Sequence, residues 1–159
     1  MGIRCASKAI IVDGEMILLN RCRYPDGNVY YDLPGGGQHE GETMTAALKR
    51  EVMEETGYTV KNLRFAGVAE EIYTDPVICE KYPEYTHRLI HLFAAEADKS
   101  KTRVVPYETD RGMETCVWMP LDEAAGQKIN PEGIAGFLLA IAKNEETVYL
   151  GSKVIEKFI

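Results

Sequence analysis

Three glutamates, Glu51, Glu54 and Glu55, fall within five residues of "KREVMEETGY", shortly after the run "LPGGGQHEGE". On a helix with a ~100° step per residue, Glu54 lies roughly 60° to one side of Glu51 and Glu55 about 40° to the other, so all three share one face. Carboxylates that close repel one another, and Arg50, four residues before Glu54, is a single cation against three anions. A divalent ion is the natural remedy, because magnesium takes carboxylate and carbonyl oxygens and joins acidic side chains to the phosphates of a substrate. A plain solvated helix face would explain the glutamates alone. It would not explain the glycines just before the helix, which let a backbone approach a ligand closely, nor Glu42 at the junction.

The elements that must position this face are legible on either side of it. "SKAIIV" and "EMILLNR" flank Asp13-Gly14, which predicts a type I′ hairpin turn at that pair. A third run, "NVYYDL", leads to Pro34 and the glycines, where regular structure is expected to stop. Met44, Leu48 and Val52 recur every four positions and predict a helix from Thr43 to Thr56 facing a core, closed by Gly57 as a left-handed cap. "LRFAGVAEEIY", "HRLIHLFAAEA" and "METCVWM" read as strands, and "NPEGIAGFLLAIAKN" as a helix with Asn130 as cap and Pro131 at its first position. Interleaved strands and helices make the class α/β. Two polar connections, residues 74–85 and 98–112, are expected to be functional loops.

At 159 residues the chain is expected to form one domain, residues 1–159. No apolar run approaches the ~20 residues of a membrane span, and the N-terminus lacks the apolar core of a signal peptide, so a cytoplasmic protein is expected. The net charge of −7 argues against broad attraction to nucleic acid. Cys5, Cys22, Cys79 and Cys116 form no C-x-x-C pair, and reduced, mostly buried thiols are expected.

Together these residues resemble the Nudix box, G-x5-E-x7-R-E-U-x-E-E-x-G-U with U a bulky apolar residue, of the Nudix (MutT-like) hydrolases. Gly36, Glu42, Arg50, Glu51, Val52, Glu54, Glu55, Gly57 and Tyr58 occupy its fixed places, with Tyr58 a loose fit to the last. The resemblance implies an α/β/α sandwich with a mixed β-sheet. It also implies a pyrophosphohydrolase using Mg2+ or Mn2+ on a nucleoside diphosphate linked to another moiety: a nucleotide sugar, a dinucleotide or a nucleoside triphosphate. By the same resemblance Glu51, Glu54, Glu55 and the Gly35 carbonyl are the metal ligands, with one of the glutamates a candidate general base. Arg50 holds the glutamates in place, and Glu42 supports the loop–helix junction.

Outside the box, Glu108 and Glu114 are candidates for a further carboxylate, and Glu70 and Glu71 share that ambiguity. Arg21 and Arg23 are candidates to grip a phosphate or stack on a base. Tyr30 and Tyr31 alternate faces, and Tyr31 is assigned to the pocket with Tyr30 in the core. His87 and His91 read as strand residues too far apart to share a metal, and His39 as an exposed loop residue. Pro76, Ile78, Tyr82 and Tyr85 are expected to help select the substrate. The alternatives are an RNA 5′-end pyrophosphohydrolase, disfavoured by the acidic charge, and a non-catalytic nucleotide sensor. A diphosphate isomerase using Cys22 or Cys79 ranks lower. Homodimers are frequent in the family, so a homodimer is the analogy.

Overall fold

The computed structural model describes residues 2–109 and 112–157, so two positions of the second connection, 110 and 111, lie outside the described residues. Strands β1 (Arg4–Asp13) and β2 (Met16–Arg23) form the expected hairpin, but Asp13 pairs with Met16 and the turn is Gly14-Glu15. Only Gly14 of that pair has positive φ, the requirement of a II′ turn and not of I′. β3 (Val29–Asp32) follows. The glycines then overturn the expectation of irregular backbone: β4 (Gly35–Gly37) is a short strand running antiparallel to β1, with Ser7 opposite Gly36. A Cβ at Gly35 would lie 2.1 Å from the Ser7 carbonyl oxygen, and the residue has φ +130, so glycine is what lets β4 press onto β1.

Helix α1 (Met44–Thr56) starts where the sequence places it. The Thr43 hydroxyl accepts from the Ala46 N–H, and Gly57 closes the helix at φ 74. β5 (Val60–Tyr73), β6 (His87–Ala97) and β7 (Met113–Pro120) match the three expected strands. The connection 74–85 is not a loop: Asp75 caps a short helix, α2 (Pro76–Lys81), which runs into a 3-10 turn at Pro83–Tyr85. The late helix begins later than expected. Asn130 belongs to β8 (Ile129–Asn130) and caps nothing, a 3-10 turn covers Ile134–Phe137, and α4 is confined to Leu138–Asn144 after the earlier α3 (Leu121–Ala124). A strand with no counterpart in the sequence reading, β9 (Val148–Ile155), ends the series.

Among the described residues the strands form one mixed sheet in the order β8-β3-β2-β1-β6-β5-β9, with β4 added to β1 and β7 to β2. β1 and β6, β5 and β9, and β3 and β8 run parallel. Neighbouring residues of the central strands feed opposite faces: Ile10, Ile17 and Leu19 pack with Leu121, Leu138 and Ile141, while Ala9, Ile11 and Leu18 pack with Leu48 and Val52 of α1. The sheet therefore has α1 on one side and α3–α4 on the other, the α/β/α arrangement.

Met44 departs from the expected stripe. It is 37% exposed, whereas Leu48 and Val52 are fully buried. All four cysteines are free, as expected, but only Cys22 is buried; Cys5, Cys79 and Cys116 are half-buried, which corrects the expectation of mostly buried thiols. The expected consequence of α1 packing is that Leu48→Ala lowers the unfolding free energy by about 3 kcal/mol, as large-to-small core changes do. Met44→Ala is expected to cost less than about 0.5 kcal/mol, as surface changes do. Urea denaturation of the two variants checks the difference.

Candidate active site

The site is assembled around Arg50. Its Nε and one Nη donate to the two oxygens of Glu42 at 2.9 and 3.0 Å, forming a fork, and the same Nη2 also donates to the Gly37 carbonyl at 2.9 Å. Its Nη1 donates to Glu51 at 2.7 Å and to Glu54 at 3.3 Å. Glu42 additionally accepts from the His39 backbone N–H at 3.0 Å. One guanidinium thus fastens the loop after β4 to two carboxylates of α1. The charge pattern follows: the Arg50 fork holds the Glu42 carboxyl down to about 2. Glu54 is pushed upward, first by desolvation and next by the Glu51 charge, so Arg50 does not fully compensate that pair.

Glu55 turns away from this half-buried pair. It is 2% exposed, and its Oε2 accepts from Asn20 Nδ2 at 2.8 Å and from the Gly35 N–H at 2.9 Å. The three glutamates leave one helix face, as their spacing predicts, but they part at their tips: Glu51 and Glu54 meet Arg50, and Glu55 anchors β4 to β2. A Cβ on Gly36 would come within 2.5 Å of the Glu51 carboxylate, so the middle glycine leaves room for that side chain. Glu108 is brought to the same end of α1, where the backbone N–H groups of Tyr107 and Glu108 both donate to the Glu54 carbonyl.

The other sequence candidates lie elsewhere. Glu114 is paired with Arg21 and with Arg23, the latter at 2.6 Å, so these three engage one another across β2 and β7 and not the α1 carboxylates. Glu70 binds His87 at 2.8 Å and Ser152, and Glu71 is buried against Arg88. His87 and His91 lie on β6, as expected. Tyr30 is buried with Tyr24 and Cys22, as expected, but it and not Tyr31 lines a cleft of about 440 Å³; Tyr31 packs against the main core.

Sequence reading missed the floor of that cleft: Asn20, Asp32, Asn130 and Arg88, with Glu55 at its edge. Tyr73, Ile78, Tyr82 and Tyr85 form walls, so the α2 segment faces the cleft as its apolar residues suggested. The missed groups carry no motif; Asn20 and Asp32 meet only because β2 and β3 pair there. A larger hollow of about 570 Å³ beside the β1–β2 turn holds none of these residues. Cys22 also borders the cleft, but burial pushes its thiol up to about 12, which unsuits it to act as a nucleophile at neutral pH.

The chain matches the NUDIX domain family model over residues 4–138 and belongs to the Nudix family. The MutT protein of Bacillus halodurans superposes with a TM-score of 0.73 at 21% identity, covering 99% of this chain and 94% of that one, a likeness of fold. A Mycobacterium tuberculosis protein provisionally named 8-oxo-dGTP diphosphatase 2 is 29% identical over 114 residues, 72% of this chain and 78% of its own length. The NAD-capped RNA hydrolase NudC of Haemophilus influenzae is 46% identical over 55 residues, 33% of this chain. The match spans only 20% of the length of that relative.

Arg50→Lys keeps the charge and removes the fork. The expected result is a 10- to 100-fold fall in kcat, the range seen when a residue that orients ligands is lost, with an unchanged circular dichroism spectrum. Steady-state kinetics on the folded variant checks it.

Proposed function

We propose that the protein hydrolyses a phosphoanhydride bond in a small nucleotide, a nucleoside triphosphate, a dinucleotide or a nucleotide sugar, with Mg2+ or Mn2+ as cofactor. The observation that carries this reading is the position of Glu55. It borders the cleft and bonds Gly35, so a ligand in the cleft ends beside the loop that Arg50 ties to Glu51 and Glu54.

The donor set suits a hard divalent cation. Among the described residues no three His, Cys, Asp or Glu side chains converge into a ready cage. Mg2+, however, is usually bound by one or two carboxylates plus substrate phosphates and water. Glu51 and Glu54, each with a side chain 15% exposed and sharing one Arg50 nitrogen, supply such a pair. Their incomplete compensation is what a cation would relieve. Glu55, which accepts from the Gly35 N–H, and the Gly35 carbonyl are the further ligands that the family resemblance implies. When bound, the metal ion neutralises charge on the phosphoryl oxygens and acidifies water.

The chain's own groups do the rest. Arg50 keeps Glu51 and Glu54 aimed and is a positioning residue, while Glu42 and Gly37 fix Arg50 in turn. A proton from the attacking water goes to Glu54 or to Glu108 beside it. The water oxygen bonds to phosphorus, the bridging P–O bond breaks, and the leaving phosphate or phosphoester carries away the bond pair. Tyr82, Tyr85 and Ile78 hold the group beyond the phosphates.

Two measurements test the reading. A phosphate-release screen of triphosphates, dinucleotides and nucleotide sugars is expected to show turnover only with Mg2+ or Mn2+; no turnover of any would contradict it. By calorimetry, Mg2+ is expected to bind at millimolar concentration or below, and Glu51→Gln with Glu54→Gln to weaken binding at least tenfold. Unchanged affinity in that double variant removes the metal-ligand assignment.

A further inference from the structure

The connection between β6 and β7 has little of its own to hold it in place. Residues 102–109 take neither helix nor strand, and Val104, Val105 and Tyr107 are exposed apolar side chains, so burial does not fix them. Four donors of this segment nevertheless reach the last turn of α1 and its cap. Arg103 Nε donates to the Thr56 carbonyl at 3.0 Å and the Val104 N–H to the Gly57 carbonyl at 3.0 Å, while the Tyr107 and Glu108 N–H groups reach the Glu54 carbonyl at 3.1 and 3.2 Å. The Glu54 and Thr56 carbonyls are among those a helix leaves unpaired at its C-terminus. Helix α1 has no basic residue in its last turn, and Arg103 brings a cation to that end from outside. Glu108 comes near enough for its charge to add to the upward push on Glu54, behind desolvation and the Glu51 charge.

Arg103 is seated by Tyr58, the loose fit at the last place of the box. Its guanidinium lies 4.8 Å from the centre of the Tyr58 ring, and its Nη2 donates to the Cys116 sulfur at 3.3 Å. The ring is held in turn from β7: Trp118 Nε1 donates to the Tyr58 hydroxyl at 3.1 Å, and the two rings meet edge to face at 5.7 Å. An aliphatic side chain in place of Tyr58 would still pack against the core beneath α1, but it would offer Arg103 no ring face and Trp118 no acceptor.

We propose that Tyr58, Arg103 and Trp118 form a clasp that fixes residues 103–108 on the C-terminal end of α1 and thereby positions Glu108 beside Glu54 for the reaction. This rests on the phosphoanhydride reading, in which Glu108 is one of two proton acceptors. Tyr58 and Arg103 touch no substrate and are positioning residues that act through Glu108. The aromatic departure from the box then has a use: it holds a carboxylate that is carried on a segment without secondary structure.

Amide hydrogen exchange followed by NMR reads the clasp without turnover. Arg103→Ala is expected to speed exchange at Tyr107 and Glu108 at least about tenfold, because a hydrogen bond from a charged donor is lost along with the ring contact, and Tyr58→Leu about threefold, the effect of the ring contact alone. Tyr58→Phe keeps the ring beneath Arg103, and its exchange is expected to stay closer to that of the unaltered protein. The amides of Cys79 and Tyr82, hydrogen-bonded in the separate α2 segment, are expected to keep their rates in every variant. Unchanged exchange at Tyr107 and Glu108, or an equal rise at Cys79 and Tyr82, overturns the clasp. The positioning role is read from kinetics. Arg103→Ala is expected to lower kcat at least about tenfold while KM moves less than about threefold, and to lower it no further when Glu108→Gln is already present. Faster exchange with unchanged kcat, or losses that add in the double variant, overturns that role. Arg103 is exposed, so its variant decides should Tyr58→Leu not fold. If no phosphoanhydride is hydrolysed, the proposed activity falls and the role of Glu108 with it, while the exchange rates still decide the clasp.

Discussion

The arrangement depends on where the Arg50 guanidinium spends its hydrogen bonds. It is one cation among Glu42, Glu51 and Glu54, and it also reaches the backbone at Gly37. The Glu55 carboxylate, which accepts from the Gly35 N–H, is a second charged tie between the glycine strand and α1. A lysine would supply the charge and not the fork, because only a planar guanidinium can meet both oxygens of Glu42 while keeping donors for the others. Glu54 is pushed upward first by desolvation and then by the Glu51 charge, and that crowding of carboxylates is the electrostatic basis of the proposed metal site.

Backbone clearance makes the same arrangement possible. β4 can lie against β1 because Gly35 has no side chain to strike the Ser7 carbonyl, and Glu51 can lie over Gly36 for the same reason. Gly57 meets the Val104 backbone in the same intimate way, which brings the connection carrying Tyr107 and Glu108 back to the end of α1. The glycines spread through this region are clearances that let three separate segments converge on one helix.

The local signals were legible. The cap at Thr43, the stop at Gly57, the Leu48–Val52 stripe and the box residues all follow from spacing and side-chain chemistry. What escaped depends on long-range partners. Three glycines read as irregular backbone because glycine disfavours strands, and only β1 beside them overrides that preference. Met44 has the right helical spacing but sits in the first turn, beyond the reach of the sheet. Asn130 and Pro131 imitate a helix start, yet Asn130 is claimed by its pairing with Asp32. Glu55 could be placed on the helix face from sequence, but its turn inward depends on Asn20, which lies 35 residues away in the chain. The cleft floor is assembled by strand register alone, for which no motif exists.

The central claim is that Glu42 acts on the α1 carboxylates only through Arg50. A double-mutant cycle of Glu42→Gln and Arg50→Lys, read as Mg2+ affinity by calorimetry, isolates that coupling. If Arg50 is the sole link, the double variant binds Mg2+ no more weakly than Arg50→Lys alone, because the fork is already lost. Losses that simply add would show that Glu42 supports the carboxylates by another route and would contradict the account.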